Sequence, residues 1–120
     1  MSVNKETFLI VGCDIKDYLN NKFEDWYWSK DGEKYHDYQR KGNTQIIDDG
    51  MSGQYTYFGY IVANFEDDYG KHCEEIDFKN IDEMSVEVES ELQELINRGI
   101  VDKEKCKDLK MKVILFNHCY

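Results

Sequence analysis

Gln54-Tyr-Thr-Tyr-Phe-Gly-Tyr-Ile-Val-Ala-Asn64 is the stretch that decides the fold. Side chains alternate across an extended chain, so Tyr55, Tyr57, Gly59, Ile61 and Ala63 share one face and Thr56, Phe58, Tyr60 and Val62 the other. Both sets are largely apolar and rich in aromatic and β-branched residues. The segment therefore reads as a central strand covered on both sides. Just upstream, Thr44-Gln-Ile-Ile-Asp48 has strand character. Asp49-Gly-Met-Ser-Gly53 is a glycine-bearing turn, and the whole reads as a β-hairpin.

Further out, Thr7-Phe-Leu-Ile-Val-Gly-Cys13 is an apolar run between Glu6 and Asp14 and predicts a buried strand. Met111 to Phe116 predicts a final strand, whose alternation at the start suggests a passage from surface to core. His72 to Phe78 is a further strand candidate. Asp14 is placed to cap a short helix over 15–23, with Ile15, Tyr18, Leu19 and Phe23 on one face. The clearest helix follows Asn80 or Asp82. Met84, Val88, Leu92, Leu95 and Ile96 form its apolar stripe, and Gly99 is its natural stop. Asp102 caps a short turn through Lys107. Glu24 to Asn43, with its aromatics and the turn signal Asp31-Gly32, reads as a turn or short hairpin and then an irregular or helical piece. The expected architecture is a single α+β domain over residues 1–120, a small antiparallel or mixed sheet with helices packed on one side.

The 120 residues are 41% apolar and 14% aromatic, enough for a core without metal or disulfide staples. Proline is absent, so Gly, Asn and Asp must shape the loops. No stretch has the length of a signal or membrane segment, which predicts a cytoplasmic protein with no membrane partner. Cys13, Cys73, Cys106 and Cys119 are then expected as reduced thiols. Charge is unevenly spread. Between Glu66 and Glu94 there are twelve acids against Lys71 and Lys79, which accounts for the whole net charge of −10. Direct nucleic-acid binding is disfavoured by this balance, because phosphate neutralisation needs a basic surface. A basic protein partner fits it.

No catalytic or metal-binding motif stands out, and no cofactor is expected. His72-Cys73 and His118-Cys119 lack the usual zinc spacing, and neighbours on a strand point to opposite faces. Nothing flanking a cysteine marks a thiolate nucleophile, and Gly50, Gly53 and Gly59 do not form a phosphate loop. Two features are more informative. Glu83, Glu87, Glu91 and Glu94 recur at helical spacing and form a ridge beside the apolar stripe, with no lysine in the helix to relieve it. The ridge is either a solvated face or a contact for a basic groove, and Asp67 and Asp68 add acidity in a turn nearby. In Trp26-Tyr27-Trp28, three consecutive rings cannot all face one core. At least one should be exposed, which makes Trp26 and Trp28 candidate interface anchors beside the plainer reading of partial core packing.

Ile10-Val-Gly-Cys-Asp-Ile-Lys-Asp-Tyr-Leu19 and Asp48-Asp-Gly-Met-Ser-Gly-Gln-Tyr-Thr-Tyr-Phe-Gly-Tyr60 resemble small acidic proteins of phages and mobile elements of Gram-positive bacteria. The likeness covers these two segments and carries over no catalytic residue. It implies a function class: proteins that bind and disable host machinery, including restriction and CRISPR nucleases, some as acidic mimics of nucleic acid. The expected function is a non-enzymatic inhibitor whose partner is a host protein with a basic surface, such as a nuclease. The contact would use Asp67, Asp68, Glu83, Glu87, Glu91, Glu94, Trp26 and Trp28. Two alternatives stay open: a small-ligand or nucleotide-signal binder, and a small enzyme using a Cys or His.

Overall fold

The computed structural model describes residues 5–37, 41–66 and 75–119. Strands β1 (Lys5–Asp14), β2 (Thr44–Asp48), β3 (Thr56–Glu66) and β4 (Lys112–Cys119) form one sheet in the order β2-β3-β1-β4. Every pairing is antiparallel. With helix α1 (Phe23–Tyr27) and the long helix α2 (Phe78–Asn97), the chain is an α+β fold.

The hairpin forms as its sequence predicts, and Asp49 organises the turn. Its carboxylate accepts the backbone N–H groups of Met51, Ser52 and Gln54 at 3.2, 3.1 and 3.0 Å. It also accepts the Ser52 hydroxyl. The Ser52 hydroxyl bond, followed by the backbone donors, holds the Asp49 carboxyl down at about 2. Strand β3 is central, between β2 and β1, and Phe58, Ile61 and Ala63 are fully buried. Gly12 faces Gly59 across β1 and β3. A Cβ at Gly12 would lie 2.2 Å from the Phe58 carbonyl oxygen, so only glycine permits this approach.

One face of the sheet carries the helices. Val88, Leu92 and Leu95 of α2 are buried in the same cluster as Ile46, Phe58 and Cys13 of the sheet, with Phe23, Trp26, Tyr27 and Tyr35 beside them. Helix α2 stops in a Schellman arrangement: Gly99, at φ 75°, donates to Ile96 and Ile100 donates to Leu95, both at 3.0 Å. The opposite face buries Phe8, Ile10, Ile47 and Ile61 beneath its own aromatics. Tyr55 stacks on Tyr57 at 4.7 Å, and Tyr57 meets Phe116 at 4.3 Å.

Several expectations are corrected. The register of β1 on β3 shifts between Leu9 and Ile10, leaving Val62 as the extra residue, so Ala63 pairs with Leu9 and leaves the face of Ile61. Residues 15–23 are not one helix. A 3-10 turn, Lys16–Tyr18, ends in an extended Leu19 that bridges to Val101. Asn20 then bonds the Gly99 and Ile100 carbonyls, and α1 starts only at Phe23. Tertiary pairing outcompetes local helix propensity here, although Ile15 and Phe23 still reach the core. Of the two alternatives for the start of Glu24 to Asn43, the turn is found and not the hairpin: among the described residues α1 is followed by a 3-10 turn over Lys30–Tyr35 that contains Asp31-Gly32. Of the strand expected over His72 to Phe78, 72–74 lie outside the described residues. Residues 75–77 are irregular, and Phe78 begins α2. This earlier start places Lys79 inside the helix, contrary to the expected lysine-free ridge. Strand β4 runs along the edge rather than into the core: Val113 and Leu115 are 53% and 69% exposed.

Candidate functional site

The acidic helix spacing predicts a ridge of four carboxylates, and the structure gives them different surroundings. Glu83 and Glu87 are exposed, and neither takes part in a hydrogen bond or ion pair among the described residues. Glu94 pairs with Arg98 at 3.3 Å, and Arg98 also reaches Asp31 at 3.6 Å. Glu91 is half-buried, because the turn Lys30–Tyr35 lies along this side of α2. Its carboxylate accepts Lys34 Nζ at 3.3 Å and the hydroxyl of Tyr35. Tyr35 is 2% exposed, and burial together with the Glu91 bond pushes its phenol far above the usual range. Glu91 is thus a latch between turn and helix, while Glu83 and Glu87 are free to meet a cation.

Where the turn, β2 and α2 meet, Glu33, Asp37, Thr44, Glu87 and Glu91 line a cavity of about 340 Å³, with Lys34 at its wall. Thr44 is 7% exposed and its hydroxyl has no hydrogen-bond partner among the described residues. Nothing in the sequence marks Glu33, Asp37 or Thr44 as belonging with the helix ridge, since the fold alone brings them there.

The aromatic run divides between core and surface. Trp26 and Tyr27 are buried, and the Trp26 indole N–H finds no partner among the described residues. Trp28 is 70% exposed, as expected for at least one of the three rings. Its indole N–H donates to Glu24 at 3.2 Å, and its ring rests edge-on against Tyr27 and His36 at 5.0 and 5.1 Å. His36 precedes Asp37 of the cavity wall, so the exposed indole and the acidic cavity are close along the chain. Of the two tryptophans, Trp28 presents a ring at the surface and Trp26 lies in the core. Asp67 and Asp68 lie outside the described residues.

Cys13, Cys106 and His118 each have a hydrogen-bond partner of their own. Burial pushes the Cys13 thiol up to about 12, and its sulfur lies 3.9 Å from the Phe58 carbonyl. Cys106 is bonded to the Lys103 carbonyl at 3.5 Å. His118 Nδ1 meets the Tyr55 hydroxyl at 2.6 Å, and burial lowers the imidazole pKa. Among the described residues no three His, Cys, Asp or Glu side chains are grouped to hold a metal ion, while His72 and Cys73 lie outside them. No described helix is long and apolar enough to cross a membrane. A second cavity, of about 500 Å³, opens at the end of β1, lined by Asp14, Tyr18, Tyr57, Asp108 and Lys112. Comparison with protein-family models, curated proteins and solved structures finds no match.

Proposed function

We propose that this is a binding protein of the phage or mobile-element type, which inhibits a host defence or nucleic-acid enzyme by setting its acidic helix face into a basic groove. The observation that carries the reading is the state of Glu83 and Glu87. Both are exposed on one side of α2 and unpaired among the described residues, in a chain whose net charge of −10 is held between Glu66 and Glu94. Unpaired carboxylates on a rigid helix act as a preorganised row of anions, which steers a cationic partner and weakens with salt. Trp28 supplies an exposed ring, the residue type that most often anchors an interface. The test is capture of partners from a bacterial lysate, identification by mass spectrometry, and titration of each candidate at low and high ionic strength. A nuclease or other nucleic-acid enzyme that binds more weakly at high salt supports the proposal. A partner with an acidic contact surface contradicts it.

The second reading, a small-ligand binder, is favoured by the 500 Å³ cavity, where Tyr18 and Tyr57 stand beside both acidic and basic groups. A small molecule retained by the protein in native mass spectrometry would move the function there. The third, an enzyme using a Cys or His, draws no support from Cys13, whose buried thiol is the opposite of an activated nucleophile.

A further inference from the structure

We infer that the free edge of β4 takes up an extended segment of a partner protein as a further strand, and that this segment is apolar at alternate positions with acids at its ends. The surface is separate from the acidic face of α2. Strand β4 is an outer strand of the sheet, eight residues long, and among the described residues no strand pairs with its other side. It is held in place from one face: Phe116 stacks on Phe8 at 5.5 Å, and His118 meets the Tyr55 hydroxyl at 2.6 Å. On the other face Val113 and Leu115 stand two residues apart and are 53% and 69% exposed. The helices do not cover them. The cluster beneath α1 and α2 takes Cys13, Ile46 and Phe58 from the sheet and no residue of β4. At the opposite edge, β2 leaves only Asp48 exposed.

An outer strand carries backbone N–H and C=O groups that a further strand can pair, and proteins guard such edges with short strands, bulges or a charge set within the strand. Between Val113 and Phe116, β4 has none of these guards. It pairs with β1 in unbroken register, and its one lysine, Lys112, is its first residue. Charge selects the segment that fits. Lys112 stands at one end of β4 and Lys5, opposite Cys119, at the other. Both are exposed, and neither has an ion pair among the described residues. Strand β4 itself holds no carboxylate. An acid opposite Lys112 is a direct cross-strand partner. An acid at the far end lies two strand spacings from Lys5, about 10 Å, a gap that lysine and glutamate side chains span together. A second copy of the chain fits less well. Antiparallel self-pairing about Leu115 would bring Lys112 of each copy to the strand end that Lys5 of the other flanks, with a net charge of −10 on both molecules.

The test uses the full chain and synthetic peptides. The ¹⁵N-labelled protein is titrated with a capped peptide of alternating threonine and valine that carries glutamate at each end. One control replaces the glutamates by lysine. A second replaces the valines by proline, which cannot join a strand ladder. Saturable amide shifts at Val113, Leu115 and Asn117 are expected with the glutamate peptide, with half-saturation on the order of 1 mM for so short a strand. Binding should weaken by about threefold or more with the lysine peptide, the scale of one exposed charge contact, and vanish with the proline peptide. Lys112→Glu and Leu115→Thr alter exposed side chains, so both variants should fold. Lys112→Glu should remove the preference for the glutamate peptide, and Leu115→Thr should weaken its binding by about threefold or more. Equal shifts with the proline peptide, indifference to the sign of the end charges, or no saturation at β4 would overturn the assignment. So would a dimer of the chain alone in sedimentation that Leu115→Thr dissolves, since a second copy would then be the occupant.

Discussion

Removing the Tyr35 hydroxyl should loosen the candidate surface without touching any carboxylate on it. Tyr35 is 2% exposed and donates to Glu91, whose side chain remains 32% exposed and also holds Lys34. A hydrogen bond to a charged acceptor contributes about 1.5–3 kcal/mol. Water and Lys34 can replace part of this at a carboxylate one-third exposed, so Tyr35→Phe should cost about 1–1.5 kcal/mol, below that range. Glu91→Ala leaves the buried phenol without its acceptor and should cost about 1–3 kcal/mol. The double variant should lose less than the sum, with a coupling of about 1 kcal/mol, because the two groups share one bond. Urea unfolding followed by tryptophan fluorescence measures all four corners, since Trp26 packs against Tyr35 at 5.6 Å. An additive cycle, with Tyr35→Phe losing under about 0.3 kcal/mol, would refute the latch and leave Glu91 an ordinary surface acid.

Three further outcomes follow from the packing and the titrating groups. Leu92→Ala should cost about 2–5 kcal/mol in urea unfolding, as for other large-to-small core changes, and a loss under about 0.5 kcal/mol would mean α2 does not pack on that stripe. Asp49 has its folded pKa depressed from 3.8 to about 2, so it contributes stability above pH 3.8 that is lost as pH falls towards 2. Asp49→Asn should flatten the stability profile across that window, and an unchanged slope would show that the turn does not hold the carboxylate. Cys13, buried and raised to about 12, should resist thiol reagents at pH 8 until the protein unfolds. Labelling of native Cys13 as fast as in urea would contradict its placement in the core.

The sheet was legible because its signals are local. Alternation over Gln54 to Asn64, the Asp49–Gly53 turn and the apolar run at Thr7 each report a strand or turn without knowledge of distant residues. The stripe of α2 and its glycine stop were legible for the same reason. What escaped was settled by contacts far apart in sequence. Leu19 is extended because it pairs with Val101, and no window around Leu19 contains that information. The bulge at Val62 is likewise invisible in a two-residue alternation that runs through it. The site followed the same division. Helical spacing placed Glu83, Glu87, Glu91 and Glu94 on one side, but it could not show that the turn Lys30–Tyr35 engages Glu91 and leaves Glu87 free. Trp26 and Trp28 were alike as letters. Their environments differ because a short helix followed by a 3-10 turn sends one ring inward and the other out.

If the exposed acids of α2 contact a basic partner, reversing their charge should weaken that contact. Glu83→Lys with Glu87→Lys is the appropriate pair, because Glu91 also latches Tyr35 and its reversal would mix binding with stability. Both sites are exposed and unpaired among the described residues, so unfolding free energy should stay within about 0.5 kcal/mol of the wild type per change. Affinity for the partner identified by lysate capture is then measured for both proteins at low and high salt. The variant should bind more weakly at low salt, by about fivefold or more per charge if each contact contributes about 1 kcal/mol, and with a shallower salt dependence. Equal affinities for the folded variant and the wild type, with the same response to salt, would contradict it.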